Sequence, residues 1–159
     1  MTEIPSVADF RVLIDCCQSL SLASWSEQGK AEISYAPFLA FENGFYIFVS
    51  QLARHTGNML GTGQASIMFI EPEAAAANPF ARQRAIFDCA VEEIDQQQPD
   101  YEKILDLFQH RHGETVGILR ALPDFHLLVL RPTRGQFVAG FGKAFTINIE
   151  NGGLMPLSR

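Results

Sequence analysis

The chain has 159 residues, 47% of them hydrophobic and 19% charged, with a formal net charge of −6. That length and composition give one domain with a real core and exclude a disordered chain. The acidic balance excludes non-specific nucleic-acid binding. No apolar run reaches the ~18 residues that a membrane span needs, and the acidic start MTEIPSVADF is no secretory signal. A cytoplasmic protein with no nucleic-acid or membrane partner is the expectation.

The first predicted element is a helix over about residues 6–18. Ser6 and Asp9 form a capping pair before Phe10, Leu13, Ile14 and Cys17, which fall at helical spacing. SLSLASW follows as a strand and SEQGK as a turn. AEISYAPFLAFE reads as the second strand. Glu42-Asn43-Gly44 is a turn with Asn-Gly at its centre, a hairpin signal.

The third strand, FYIFVS, is apolar on both faces and must therefore be covered on both. ASIMFIE and FHLLVL share that pattern. Several such strands on short turns point to a closed antiparallel barrel. Between the third strand and ASIMFIE lies QLARHTGNMLGTG, which reads as a short helix with glycines after it.

EPEAAAANPFARQ is a connector with two prolines, and RAIFDCAVEEI is the next strand. A helical insertion over about residues 100–121 begins with Asp100 as N-cap. Tyr101, Ile104, Leu105 and Phe108 form its apolar stripe, and Gly113 divides it. The last strands come from DFHLLVLRPTRGQFVAGFGKAFTINIE, with Pro132 and Gly135 marking the turn between them.

Charge is unevenly placed. Windows 43–70, 74–87 and 125–149 contain no Asp or Glu, yet hold Arg54, Arg82, Arg84, Arg131, Arg134 and Lys143. Arginine suits bidentate contact with phosphate or carboxylate, so a small anionic ligand is expected. The segment after the third strand concentrates the relevant groups. Ser50 and Thr56 offer hydroxyls, Arg54 a guanidinium and His55 an imidazole, beside free N–H groups at a helix start. Arg82 and Arg84, two apart, share a face if extended.

His110 and His112 flank Arg111 at a helix C-terminus, where cations are favoured. Asp124 and His126 face the same way along a strand, with a core or interface role for the latter. Cys16, Cys17 and Cys89 are expected as reduced thiols without metal-ligand spacing. No metal site, Ser-His-Asp arrangement or phosphate loop appears, so any chemistry comes from a cofactor.

The pieces SYAPF, GFYIFVSQLARHTGNM, NPFARQRAIFD and DFHLLVLRPTRGQFVAGFGKAF, in this order, resemble heme-utilisation proteins of the HugZ/HutZ type. These belong to the pyridoxamine 5′-phosphate oxidase-like flavin-binding split barrels. The resemblance spans about residues 8–150. It implies a mainly β fold with flanking helices, a six-stranded split barrel, and a homodimer with the cofactor at the subunit interface.

In flavin-binding relatives the segment after the third strand holds the FMN phosphate. Here that implies Ser50, Arg54, His55, Thr56 and Asn58, with Arg82 and Arg84 as further cofactor contacts. In heme-degrading relatives the counterparts of Arg84 and Asp124 lie near heme, which makes these two the catalytic candidates. There the Asp hydrogen-bonds an axial His in a C-terminal tail; here no histidine follows His126. The resemblance implies FMN or heme as cofactor. It also implies either a heme oxygenase-like or an FMN-dependent oxidoreductase, or a non-catalytic heme- or flavin-binding protein.

Overall fold

The computed structural model describes residues 7–157, and the capping pair drawn from Ser6 and Asp9 falls outside what is described. Helix α1 (Val7–Asp15) buries Phe10, Leu13 and Ile14, the stripe its spacing predicts. Then come β1 (Ser19–Trp25), β2 (Ala31–Pro37), β3 (Leu39–Phe41), β4 (Gly44–Ser50), α2 (Arg54–Thr62), β5 (Gln64–Ile70) and β6 (Arg84–Ile94). Two 3-10 turns, Glu73–Ala75 and Pro79–Ala81, fill the connector before β6. The chain ends with α3 (Tyr101–His112), α4 (Glu114–Arg120), β7 (Phe125–Gly140), β8 (Lys143–Ile147) and β9 (Leu154–Pro156).

All pairings are antiparallel, in the order β2-β1-β5-β6-β7-β4-β3, with β8 on β7 and β9 on β8. Nine strands stand where six were expected, and the ladder does not close, because β2 and β3 are its ends. The physical reason lies at Phe38. The expected single strand over residues 31–42 breaks there, and the Phe38 ring, 1% exposed, drops into the core. Its ring sits 4.9 Å from Phe69 and 6.0 Å from Phe45. Aromatic packing thus fills the space between β2 and β4 that a backbone ladder would otherwise bridge.

β7 makes the split. Its residues 125–130 pair with β4, and residues 135–140 pair with β8 along the same edge, while β6 runs along the other. Residues 131–134 have no strand partner on the first edge. Pro132, which has no N–H to donate, is tolerated at this gap. The register shifts here, with Cys89 opposite Pro132 and Asp88 opposite Arg134, so Thr133 is the extra residue of a bulge. The turn expected at Pro132 and Gly135 is therefore a bulge inside one long strand. The chain reverses instead at Phe141-Gly142, with Gly142 at φ 71°.

The β3–β4 hairpin also differs by one residue from its sequence signal. Phe41 faces Gly44, so Glu42 and Asn43 are the central pair, and Glu42 takes φ 52°. Gly44 is required by space: a Cβ there would lie 2.6 Å from Val129 Cγ2. Gly44→Ala is expected to cost ~1–3 kcal/mol through overpacking, read as a lower urea midpoint at unchanged slope. An unchanged midpoint would show that β7 yields freely at Val129.

Two cores flank β4. On one face Ile47 and Val49 join Leu20, Leu22, Ile67, Phe69, Phe87, Leu128 and Phe137. On the other, Tyr46 and Phe48 join Leu127 and Val129 beneath Ile104, Leu105 and Phe108 of α3 and Val116 of α4. The two-sided burial expected of β4 and of the first half of β7 is what the helices provide. β5 differs: Ala65, Ile67 and Phe69 are buried, but Ser66, Met68 and Ile70 on its other face are only half covered. The outward sides of β1 and β2 carry exposed Trp25, Ile33 and Tyr35. Among the described residues no helix is long and apolar enough to cross a membrane.

Candidate functional site

The chain leaves β4 at Ser50, turns through residues 51–53 and enters α2. Ser50 Oγ donates to Asp124 Oδ2 at 3.0 Å and accepts from the Leu52 amide at 3.1 Å. The Gln51 amide donates to the Asp124 carbonyl at 2.7 Å. Thr56, buried in the first turn of α2, donates its hydroxyl to the Ser50 carbonyl at 2.6 Å. Ser50, Thr56 and Asp124 thus form one bonded corner that ties the end of β4 and α2 to the start of β7. Their hydroxyl protons are committed within the chain.

The other side of α2 faces β1 and β2. Arg54 and Asn58, one helical turn apart, share a face. Arg54 Nη1 lies 3.2 Å from Glu32 Oε2, and Asn58 Nδ2 donates to Glu32 Oε1 at 3.3 Å. Asn58 Nδ2 also lies 3.0 Å from the hydroxyl of buried Ser24. Arg54 is 86% exposed and Glu32 only 23%. The carboxylate is therefore the fixed partner, and the guanidinium lies over it in solvent, where such a pair contributes little stability.

His55 lines a depression of about 360 Å³ with Glu32, Ile33, Ser34, Ala53 and Arg54. Its Nδ1 is buried with no hydrogen-bond partner. Loss of water around the ring lowers its pKa below the ordinary 6.5. The imidazole is held neutral, the form that ligates a metal.

The remaining histidines are engaged or open to solvent. His112 Nε2 meets the Phe38 carbonyl at 2.8 Å, while Arg111 donates to the Cys17 carbonyl at 2.6 Å and lies over the Phe38 ring. The HRH run thus docks the end of α3 onto the core. His126 contacts two side chains, with Nδ1 on the Glu93 carboxylate and Nε2 2.7 Å from the Gln51 side-chain amide. His110 is exposed on α3.

Arg82 and Arg84 lie elsewhere. Arg82 precedes β6 and donates Nε and Nη2 to the Glu71 carbonyl at 2.9 and 2.7 Å. Arg84 donates Nη1 to the Arg82 carbonyl at 2.9 Å. The two do not converge on one partner, because Arg82 stands outside the strand and secures the connector. Arg84 pairs with Ile70 and points away from the barrel interior, whereas Cys89 in the same ladder pairs with Ala65. Ser24, the strand neighbour of Glu32, lies level with that Ala65–Cys89 rung. Five rungs, about 17 Å at ~3.4 Å each, separate Arg84 from the Glu32–Arg54 corner.

The chain therefore places Ser50, Thr56 and Asp124 on one side of α2 and Arg54, His55 and Asn58 on the side facing β2, and leaves Arg82 and Arg84 apart. Sequence reasoning missed Glu32, Ser24, Gln51 and Glu93. Glu32 carries a legible signal only in hindsight of the pairing, as the charged residue on the inward side of an edge strand.

The thiols are free. Cys16 is exposed and Cys17 half-buried, while burial beside the Asp88 carboxylate pushes the Cys89 thiol up to about 12. No group of three or more His, Cys, Asp or Glu among the described residues is arranged to hold a metal ion.

Comparison with known proteins gives a consistent result. The pyridoxamine 5′-phosphate oxidase family (PNPOx_N) matches residues 7–139. The chain is 35% identical over 144 residues to heme oxygenase HutZ of Vibrio cholerae serotype O1, covering 91% of this chain and 80% of that protein. A crystal structure of V. cholerae HutZ, described as a heme storage protein, superposes with a TM-score of 0.78 at 31% identity, over 84% of this chain and 93% of that one. Campylobacter jejuni ChuZ superposes with a TM-score of 0.85 at 28% identity, over 95% of this chain and 61% of that one.

Proposed function

The chain belongs to the pyridoxamine 5′-phosphate oxidase family, and from that membership we propose that it is a heme-utilisation protein that binds heme as a homodimer. The similarity to HutZ supports heme over flavin. The observation that carries the reading is the α2 corner. It holds an imidazole whose pKa is lowered by burial, and its donors Arg54 and Asn58 already face a carboxylate.

His55 would hold a heme iron through the ring nitrogen that is not buried, since a neutral imidazole is a heme ligand. Asp124, fixed by Ser50, presents a carboxylate on the other side of α2. It serves to orient a proton-bearing group there. Arg84 keeps guanidinium N–H groups for a heme propionate. It lies too far from His55 within one protomer, so the partner subunit is what brings such an arginine to the corner. The half-covered outer face of β5 and the exposed Trp25, Ile33 and Tyr35 supply the apolar surface for that pairing. Bound heme supplies an iron that activates O₂ with electrons from an external donor.

An FMN-dependent oxidoreductase would place the phosphate on Ser50, Arg54, His55, Thr56 and Asn58. Ser50, Thr56 and Asn58 already spend their side-chain donors within the chain, which weighs against that alternative.

Haemin is expected to give a saturable Soret band, to raise the thermal midpoint of a protein that sediments as a dimer, and to lose absorbance under reductant and O₂. A Soret band that persists unbleached assigns holding without turnover. An unchanged spectrum and midpoint would end the heme reading.

A further inference from the structure

Glu32 is the residue on which this corner turns, and the heme reading gives it no contact with the cofactor. Its carboxylate takes the donors that an incoming anion would need. Oε2 faces Arg54 Nη1 at 3.2 Å, and Oε1 accepts from Asn58 Nδ2 at 3.3 Å. Strand pairing fixes the position from which it reaches them, since Glu32 lies opposite Ser24 in the β1–β2 ladder. Ser24 in turn is buried and bonded to the same Asn58 amide. β2, Asn58 and Ser24 together hold the acid in place. Arg54, by contrast, is free to swing in solvent.

We propose that Glu32 is a specificity-determining residue, an internal carboxylate that occupies the Arg54–Asn58 donors and excludes phosphate-bearing cofactors from the α2 corner. The inference rests on the reading that this corner is the cofactor site. Two effects act together. A phosphate monoester meets a fixed negative charge at contact distance, and like charges there repel. It also finds the Asn58 amide already satisfied by Ser24 and Glu32 and Arg54 drawn to the Glu32 carboxylate, so binding must first break those contacts. A heme, whose own anionic groups sit at the end of flexible chains, need not place a charge at that point.

Glu32→Ala removes the charge and vacates the donors, and Glu32→Gln removes the charge while keeping the shape. The probe is FMN, followed by quenching of its own fluorescence, with riboflavin as the phosphate-free control. Glu32→Ala is expected to bind FMN at least about tenfold more tightly than the wild type, the scale of one regained charge-assisted hydrogen bond. Glu32→Gln should gain less, because its amide still engages Asn58, and riboflavin should gain nothing. Inorganic phosphate should compete with FMN in the alanine variant.

The proposal is overturned if a folded Glu32→Ala or Glu32→Gln protein binds FMN no better than the wild type. It is overturned equally if the wild type binds FMN as tightly as the variants, or if riboflavin gains as much as FMN. A parallel haemin titration keeps the two ideas separate. Loss of heme binding in the wild type, with FMN gained by the variants, would sink the heme reading and leave Glu32 in this role.

Discussion

Replacing Phe69 by alanine is expected to destabilise the fold by ~3–5 kcal/mol, the cost of removing a fully buried aromatic ring. Phe69 has no exposed surface. Its ring centroid lies 4.9 Å from both Phe38 and Phe45 and 6.2 Å from Phe87. It is the common neighbour that joins the Phe38 plug to the wall formed by β4, β5 and β6. In a chain of this size the loss corresponds to a fall in thermal midpoint on the order of 6–20 °C. Phe69→Leu, which keeps most of the volume, should cost clearly less. Equal and small losses for both would mean that the ladder, rather than aromatic packing, closes the gap between β2 and β4.

The second large effect is expected at His55. If its neutral imidazole ligates the iron, His55→Ala should weaken heme binding by about 10–100-fold or more, since even groups that merely support a metal ligand are worth that much. The Soret position should move as well, which a purely structural contribution would not cause. A pH dependence goes with this. Burial lowers the His55 pKa in the folded chain below 6.5, so the unfolded chain takes up this proton first as pH falls. His55 therefore leaves stability unchanged well above pH 6.5 and reduces it as pH drops below that value. His55→Gln should flatten the fall in thermal midpoint on the acid side of pH 6.5. A wild-type midpoint and a variant midpoint that track each other through this range would contradict a neutral buried ring.

Much of the fold is legible in the sequence because it rests on local periodicity. α1, the two-sided burial of β4, the whole of β6 and the division of α3 from α4 at Gly113 all follow from spacing and one glycine. The parts that are not legible depend on partners distant in sequence. Pro132 and Gly135 carry a turn signal, but the opposing β6 runs on past them and absorbs the irregularity as a bulge at Thr133. Phe38 sits in an apparently continuous strand, and only the other aromatic rings decide that it leaves the ladder.

The charge pattern is the more instructive case. Arg54 lies in a window of 28 residues without an acid, which points to an external anion. The fold brings Glu32 to it from outside the window. Counting charges along the chain locates the cations correctly and misses the anion that meets one of them, because strand pairing sets that contact. The same holds for His126, whose partners Glu93 and Gln51 come from other strands and loops. The resemblance in the LARHT segment finds the corner, and the geometry shows how its donors are spent.

Paired titration of the wild-type protein with haemin and with FMN, under the same buffer and followed by absorbance and thermal midpoint, tests the central claim most directly. The α2 corner as described predicts a saturable Soret band and a raised midpoint with haemin, and no shift of either signal with FMN. FMN binding that stabilises the wild type, with haemin leaving its midpoint unchanged, would contradict it.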